Sequence, residues 1–355
     1  MTTPRNLTVV LFFATPGTTW GGMEKHTADL AQALIRRGHS VHIIGHKSYR
    51  HHFSADACFH PAPVQLGRRN PWLRLLLKRR FHRIAPDIIH AQGNKAAQLI
   101  GSAKSEPRYA RVGTVHGSKS SHHAFRHLDK VIAVSQQIYD SLEHSGKQLI
   151  FNGIATPPSE ALESKGEPLL SRDAINVVAI GRLEPVKGFP NLVRAWAELA
   201  ERSPRAHLTI FGEGSQRKEL EELIASLKLD ARVALAGFRA DLAGVYREAD
   251  LVVISSEREG FPYVLTESLL ARCPVVATPV SGAASLLPQQ ALSPDHRVTS
   301  LANLLIDALD DLPALNAAEE PAMAFASDRL TLKRMADDTE RLYFDVLTAT
   351  HNQNR

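Results

Sequence analysis

Two basic residues five positions apart form the first candidate site of this chain. Arg182 and Lys187 lie in the segment 181–188, directly after an apolar run at residues 176–180. A guanidinium can hold two phosphate oxygens at once, and an ammonium adds a point charge. Amides at the start of a following helix can donate to the same anion. The segment therefore fits a diphosphate, although an ordinary solvated basic loop can have the same spacing.

Two carboxylates eight residues apart form the second candidate site. Glu259 and Glu267 flank a predicted helix start, where Gly260 lets the backbone approach a ligand and Pro262 suits the first turn. Carboxylates accept hydrogen bonds from the hydroxyls of a sugar or a ribose, and helix N-terminal amides favour phosphate. The alternative is a capping acid followed by a surface glutamate.

A glycine-rich segment and a histidine stand at two predicted strand ends in the first half. The segment 17–26 contains Gly21 and Gly22 but neither GxGxxG nor the lysine pattern of a Walker loop, which disfavours a nicotinamide dehydrogenase or a P-loop NTPase. Close backbone approach to a polar ligand and a flexible turn both remain open. His116 can bind a sugar or lie beside a leaving group, whereas most other histidines there are expected at the surface. No metal-binding spacing is present.

A basic segment at residues 68–83 carries seven Lys and Arg, and no acid occurs from residue 57 to residue 86. Its predicted membrane or acceptor patch comprises Arg68, Arg69, Trp72, Arg74, Lys78, Arg79 and Arg80. Leu73, Leu76, Leu77 and Phe81 can form one apolar stripe. Basic amphipathic helices with Trp bind anionic lipid, at roughly 1 kcal/mol per basic residue. A core-packing helix with a solvated basic face is the alternative, and no nucleic-acid-binding module accompanies the segment.

Short apolar segments alternate with amphipathic ones in both halves, as expected of βα units around parallel sheets. The predicted strands are residues 7–14, 41–45, 87–91, 112–116, 130–134, 176–180, 207–211, 232–236, 250–255 and 274–277. The predicted helices are residues 24–37, 191–201, 216–227, 242–248, 263–271 and 329–347. Open parallel sheets bind ligands at the carboxyl ends of their strands, so two facing domains would form a cleft.

Length and composition predict a soluble protein of two domains. The 355 residues exceed the roughly 100–200 of a single domain. With 44% hydrophobic and 22% charged residues, the chain is typical of globular proteins. Its two cysteines suggest neither a disulfide framework nor a zinc site, and they favour a reducing compartment. No apolar run approaches the roughly 20 residues of a membrane span, so any membrane contact should be peripheral.

The charge is divided unequally along the chain. Residues 1–165 carry 22 Lys and Arg against 10 Asp and Glu, whereas residues 166–355 carry 20 against 27. A proline-rich stretch at residues 156–173 is the best linker candidate. We therefore predict domains at residues 1–165 and 166–334, with a C-terminal helix at about 335–350 packing back on the first. The asymmetry suggests that the two domains meet different partners.

Taken together, these motifs resemble the retaining glycosyltransferases of family 4, which have the GT-B fold of two Rossmann-like domains facing across a cleft. The matching motifs, in chain order, are GGMEKH at 21–26, His116-Gly117, Ser135, Asn152-Gly153-Ile154, Gly181-Arg182-Leu183, Lys187-Gly188, FGEG at 211–214, Gly237-Phe238 and the pair Glu259 and Glu267. They span most of the chain. Such an ordered series is far more specific than any of its members.

The resemblance implies a role for each candidate residue. Arg182 and Lys187 would hold the donor diphosphate, Glu259 would bind hydroxyls of the transferred sugar, and Glu267 would bind the ribose. The remaining implied donor-site residues are Gly21 and Gly22 near the phosphates, His116 beside the reacting centre, Phe238 and Arg239 at the nucleobase, and Gly260 and Phe261 beside Glu259. No metal or cofactor is implied, and the acceptor would attack from the face that the leaving group departs from.

Two positions depart from the family pattern. After the strand predicted at residues 274–277 the family often has two glycines followed by an acid, whereas this chain has SGAASL at 281–286, so no residue here takes the role of that acid. Arg272 stands where glycine is usual. If its backbone is left-handed, the substitution costs on the order of 1 kcal/mol.

The resemblance and the basic segment together predict a cytoplasmic enzyme, peripheral on the inner face of the membrane. It would move a sugar from a UDP- or GDP-type donor to a glycolipid, oligosaccharide or lipopolysaccharide-type acceptor, with no nucleic-acid partner. Another GT-B enzyme, such as an epimerase or phosphorylase, stays open as an alternative. A catalytically inactive membrane-associated scaffold also stays open, although a scaffold has no need of all four residues Arg182, Lys187, Glu259 and Glu267.

Overall fold

The structure, a computed structural model, describes residues 5–17, 20–101, 109–117, 121–155, 170–171, 173–239 and 241–353. These residues form two compact units. The first unit runs along the chain to Ala155 and also includes the C-terminal segment from Thr331 onward. The second unit consists of the residues after Ala155, up to Leu330. The domain boundary predicted at 165/166 lies outside the described residues.

The first unit is built on a seven-stranded parallel sheet. Its strands are β1 (Thr8–Phe13), β2 (Ser40–Gly45), β3 (Cys58–Pro61), β4 (Ile88–Gln92), β5 (Ala110–Val115), β6 (Lys130–Ala133) and β7 (Lys147–Leu149). Its first helices are α1 (Gly22–Arg36), α2 (Pro71–Ile84), α3 (Gly93–Gly101) and α4 (Gln136–Ser141). The strand order is β3-β2-β1-β4-β5-β6-β7, so β1, β4 and β5 are central.

The second unit has a five-stranded parallel sheet in the order β10-β9-β8-β11-β12. Its strands are β8 (Ile175–Ile180), β9 (Ala206–Phe211), β10 (Val233–Gly237), β11 (Leu251–Ile254) and β12 (Val275–Ala277). Its helices are α5 (Phe189–Leu199), α6 (Arg217–Ser226), α7 (Ala243–Glu248), α8 (Tyr263–Leu270), α9 (Ser281–Leu286), α10 (Val298–Asp310) and α11 (Leu312–Arg329). Strands β8 and β11 are hydrogen-bonded neighbours, so their carboxyl ends lie side by side.

The last helix, α12 (Leu332–Gln353), belongs to the first unit. Its amide at Leu332 donates to the carbonyl of Ile154 at 2.7 Å, and Met335, Tyr343 and other apolar residues join the core around β1 and α1. Arg37 of the first unit donates to Asp337 at 2.5 Å. The polypeptide thus returns to the first sheet after completing the second.

Local sequence explains where the basic helix α2 begins and ends. The side chain of Asn70 accepts from the amide of Leu73 at 3.0 Å, and Pro71 occupies the first helical position, where its missing N–H is not needed. The helix ends at Ala85, whose φ of 49° is left-handed. Leu73, Leu77 and Phe81 are buried. Most of the predicted apolar stripe therefore faces the core.

The predicted α/β class with two parallel-sheet domains is confirmed, and ten predicted strands match observed ones to within two residues at each end. Strands β3 and β7 were missed because four and three residues are too few to show an alternating pattern. Five helices were missed as well, namely α3, α4, α9, α10 and α11. Of these, α11 contains Pro321 and carries no marked apolar stripe. Arg272 has a φ of 57°, so the departure from glycine falls on a left-handed residue.

Candidate functional site

The loop that carries Arg182 follows the carboxyl end of β8 and is held by backbone hydrogen bonds to the end of β9 and the segment that follows it. The amide of Gly181 donates to Phe211 and that of Leu183 to Glu213, each at 3.0 Å. A Cβ on Gly212 would lie only 1.8 Å from the carbonyl oxygen of Gly181, which leaves no room for a side chain. Arg182 is exposed, and among the described residues its side chain has no hydrogen-bond or ion-pair partner. Its guanidinium is therefore available to an anion.

The segment that carries Lys187 is fastened to the end of β11. The hydroxyl of Ser255 donates to the backbone oxygen of Lys187 at 2.8 Å, and the amide of Glu257 donates to Val186 at 2.9 Å. Gly188 has a φ of 66°, and a Cβ there would lie 2.1 Å from the carbonyl oxygen of Ser255. Glycine is thus required on both conformational and steric grounds.

This attachment brings two of the predicted residues into direct contact. The ammonium of Lys187 donates to Oε1 of Glu259, and the hydroxyl of Ser256 donates to the same oxygen at 3.1 Å. Both side chains of the pair are only 20% exposed. They line a small pocket whose apolar wall includes Ile180 and Phe189. Lys187 and Glu259 thus form a largely buried ion pair that keeps some exposure to solvent.

Glu267 lies in helix α8 and is held by a residue that the sequence analysis did not identify. The hydroxyl of Tyr246, in α7, donates to Oε2 of Glu267 at 2.7 Å. Burial, followed by the charge of Glu267, raises the pKa of Tyr246 well above its usual value. The phenol therefore stays protonated and acts as a donor. No sequence signal marks it, because a tyrosine on a short apolar helix is typical of a core residue.

Three further predicted residues lie on two separate loops of the second unit, one after β10 and one after β11. Phe238 follows β10 and is 76% exposed, and the side chain of Arg239 donates to the backbone of Asp241 at 2.9 Å. Phe261, by contrast, is buried, and a Cβ on Gly282 would lie 2.9 Å from its ring. The ring of Phe261 therefore packs inside the second unit, and Gly260 beside it is buried as well.

In the first unit, Gly21 and Gly22 begin helix α1. The amide of Gly21 donates to Oε2 of Glu24 at 3.1 Å, which is the half of a capping box that needs no side chain at the N-cap residue. The carboxylate of Glu24 is 4% exposed, and among the described residues its other oxygen has no hydrogen-bond partner. The helix start thus presents backbone amides beside a buried acceptor.

His116 is part of a packed group of histidines. Its Nε2 lies 2.6 Å from Oε1 of Gln92, the last residue of β4, and its ring centroid is 4.8 Å from that of His26. His90 bridges the hydroxyls of Thr114 and Tyr343, each at 2.6 Å. Because an amide oxygen only accepts, Nε2 of His116 carries the proton and Nδ1 is left as an acceptor.

Burial keeps these imidazoles neutral. It lowers the pKa of His26 to about 4 and that of His90 to about 3, and it holds the pKa of His116 well below the usual value, with smaller contributions from His26 and His90. His26 stands in the GGMEKH segment, but its contact with His116 comes from packing. Gln92 had no sequence signal beyond its place at a strand end.

Helix α2 presents a mixed outer face. Trp72 is 59% exposed and Leu75 is 47% exposed, and Arg74, Lys78 and Arg79 are exposed around them. Of the other predicted patch residues, Arg68 and Arg69 are exposed as well, and Arg80 is half-buried. Among the described helices, none is long and apolar enough to cross a membrane.

Two family models divide the chain between them. The model described as Glycosyltransferase Family 4 matches residues 20–156, and the model described as Glycosyl transferases group 1 matches residues 162–323. The chain belongs to this glycosyltransferase family. Its two matched segments correspond to the two parallel-sheet units.

Two curated relatives match this glycosyltransferase over about three quarters of their own length. The lipopolysaccharide core biosynthesis glycosyltransferase LpsE of Rhizobium meliloti is 27% identical, over 74% of this chain and 77% of the relative. One subunit of the human phosphatidylinositol N-acetylglucosaminyltransferase is 26% identical, over 96% of this chain and 76% of the relative.

Solved structures of glycosyltransferases share the fold of this chain. Sucrose-phosphate synthase of Thermosynechococcus elongatus superposes with a TM-score of 0.81 at 20% identity, covering 96% of this chain and all of the other. Anabaena HepE, solved in complex with UDP, gives a TM-score of 0.75 at 22% identity, covering 94% and 99%. The predicted GT-B class is confirmed by these neighbours.

Proposed function

We propose that this glycosyltransferase moves a sugar from a UDP- or GDP-type donor to a hydroxyl of a glycolipid or lipopolysaccharide-type acceptor, with retention of anomeric configuration. The observation that carries the donor part is the contact between Lys187 and Glu259, which joins the segments that follow the adjacent strands β8 and β11. Arg182 lies on the first of these segments, and Glu267 lies in the helix that follows the second. Two cations suit a diphosphate, and two carboxylates suit hydroxyl groups. Anabaena HepE, which has the same fold and was solved in complex with UDP, supports this choice of donor.

Within the donor site, Arg182 and Lys187 would hold the diphosphate, Glu259 the sugar hydroxyls and Glu267 the ribose. Phe238 and Arg239 would border the base. The acceptor oxygen would bond to the anomeric carbon as the bond to the diphosphate breaks, and a phosphate oxygen would take the acceptor proton. Basic side chains and helix N-terminal amides would stabilise the leaving diphosphate without a metal ion.

The first unit would recognise the acceptor. The relatives that match this chain include, as their names state, a lipopolysaccharide core enzyme and a subunit of a phosphatidylinositol N-acetylglucosaminyltransferase. These names favour a lipid-linked acceptor. The exposed Trp72 and Leu75, surrounded by arginine and lysine, suit the anionic inner face of a membrane. His116 would accept a hydrogen bond from a substrate hydroxyl through Nδ1.

Sugar transfer and donor hydrolysis by the Arg182→Ala and Glu259→Ala variants test this proposal. We expect each variant to lose at least 100-fold in kcat/KM, about 2.7 kcal/mol of transition-state stabilisation. Exposed Arg258 and Glu257, replaced by Ala, serve as matched controls. Unchanged transfer in both site variants would refute the assignment. A product formed from the donor alone, or only with inorganic phosphate, would instead identify an epimerase or a phosphorylase.

A further inference from the structure

The ammonium of Lys187 has one partner in the structure, Glu259, and a second in the proposed function, the donor diphosphate. Lys187 donates to Glu259 in the structure, yet the proposed function requires it to hold the donor diphosphate. Glu259 has a second donor in the hydroxyl of Ser256, at 3.1 Å. A diphosphate and the carboxylate of Glu259 must therefore compete for Lys187.

Buried hydrogen bonds hold the backbone at Lys187 and next to the Glu259 loop. Ser255 fastens the backbone of Lys187, and the hydroxyl of Thr278 donates to the backbone oxygen of Ser256 at 2.6 Å. Ser255, Ser256 and Thr278 are all at most 5% exposed. Only the side chains of Lys187 and Glu259 are left to rearrange when an anion arrives.

The strength of the competition follows from the surroundings of the pair. Both side chains are four-fifths buried, and apolar residues including Ile180, Phe189 and Val253 line the same pocket. A charge pair in such a setting is screened less than one at the surface. Breaking it leaves a carboxylate that needs other donors, because an unpaired, largely buried charge is unfavourable.

We propose that Glu259 makes the site discriminate between the nucleotide sugar and the nucleoside diphosphate that remains after transfer, by competing with the diphosphate for Lys187. With the nucleotide sugar bound, the sugar hydroxyls donate to Glu259 and replace the lost ammonium. Once the sugar has left, Glu259 regains a partner only by drawing Lys187 back, which weakens the hold on the diphosphate. This inference rests on the proposed function and adds product release to it.

Calorimetric titration of UDP and GDP into the full-length protein tests the competition. The Glu259→Gln variant keeps the shape of the side chain and an acceptor for Ser256 but removes the charge. We expect it to bind the preferred nucleoside diphosphate about tenfold more tightly than wild type, equal to about 1.4 kcal/mol. Sugar transfer by the same variant should fall. A simple loss of a sugar-binding residue would lower transfer but would not tighten the binding of the nucleoside diphosphate.

A double-mutant cycle and a charge control make the test specific. Lys187→Met should weaken nucleotide binding, and in that background Glu259→Gln should give much less than its tenfold gain, because the competed group is absent. Glu257→Gln removes the same charge two residues away, on an exposed side chain, and should leave the affinity unchanged.

The outcomes separate this inference from the proposed function. Nucleotide affinity that is unchanged or reduced in Glu259→Gln would overturn the competition while leaving the glycosyltransferase assignment intact. An equal gain in Glu257→Gln would show general charge repulsion and would also overturn it. If wild type binds neither nucleotide and transfers no sugar, the proposed function fails, and the inference fails with it.

Discussion

At the scale of single residues, hydrogen bonds from neighbouring side chains decide how each candidate group can act. Oε2 of Glu267 accepts from the hydroxyl of Tyr246, and this contact orients the carboxylate. His116 has Nε2 directed at Gln92, so Nδ1 is the acceptor. In both cases a residue without any motif of its own fixes the geometry of a motif residue.

Replacing Tyr246 with Phe removes the donor to Glu267 while keeping the ring. We expect nucleoside diphosphate affinity to fall about tenfold or somewhat more, since a hydrogen bond to a charged group contributes about 1.5 kcal/mol or somewhat more. If Glu267 binds the ribose, the loss should disappear with a 2′,3′-dideoxy nucleotide. Calorimetric titration of both nucleotides measures the difference.

The matched control for that experiment is Tyr343→Phe, which removes another buried tyrosine hydroxyl, the one that contacts His90 in the first unit. It should lower stability without changing nucleotide affinity. An equal loss for the ribo- and dideoxynucleotides in Tyr246→Phe would contradict a role through the ribose and indicate a general packing effect.

At the scale of elements, backbone conformation sets which residues a turn tolerates. Arg272 ends the turn after α8 with a φ of 57°, and its side chain pairs with the exposed Glu320. We expect Arg272→Gly to be more stable than Arg272→Ala by roughly 1 kcal/mol, because both lose the ion pair but only glycine relieves the left-handed strain. Urea denaturation measures both variants, and equal stability would show that the turn stores no strain.

The outer face of helix α2 is the second element-scale feature. Replacing Lys78 and Arg79 with Gln should weaken binding to vesicles containing anionic lipid by about 25-fold, from roughly 1 kcal/mol per basic residue. Replacing Trp72 with Ala should weaken binding to neutral vesicles as well, since its contribution is apolar.

Vesicle co-sedimentation provides the measurement, and Lys218→Gln is the control because Lys218 is 87% exposed on α6 of the second unit. No change in the double variant would favour the simpler interpretation of α2, a core-packing helix whose basic face is only solvated.

At the scale of the whole molecule, the two units should respond to pH in opposite directions. In the first unit, burial lowers the pKa of His26 and of His90. The stability that depends on their neutral forms is therefore fully present above about pH 6.5 and is lost as the pH falls toward 4. In the second unit, burial raises the pKa of Glu319 to about 8, so its contribution is complete below about pH 4.5 and is lost as the pH rises through 8. Each group contributes up to about 1.4 kcal/mol per pH unit.

Native-state hydrogen exchange can follow each sheet separately. As the pH falls from 6.5 to 5, we expect the protection of backbone amides from exchange to decrease in β1 and β4 and to increase in β8 and β11. The Glu319→Gln variant should remove the increase in the second sheet and leave the first sheet unaffected. Parallel changes in both sheets would contradict these assignments.

Much of the fold could be predicted because its signals are local. Apolar runs of four to eight residues and amphipathic helical segments identified the βα units, and the rule that parallel sheets bind ligands at strand ends selected Arg182, Lys187 and Glu259. Gly188 and Gly212, which belong to motifs of the resemblance, lie where a Cβ would collide with a carbonyl oxygen, although no local pattern predicted these contacts. The family resemblance rested on the order of these motifs along the chain.

The sequence by itself determined the fold class, the family and the set of candidate residues, because residue type and spacing along the chain carry that information. Tertiary structure alone decided which of them touch. Lys187 meets Glu259 from 72 residues away, and Tyr246 reaches Glu267 from a different helix. Helix α12 supplies Tyr343 to His90 across 253 residues. Such pairings, and the burial that keeps the histidines neutral, depend on long-range packing that no local pattern encodes.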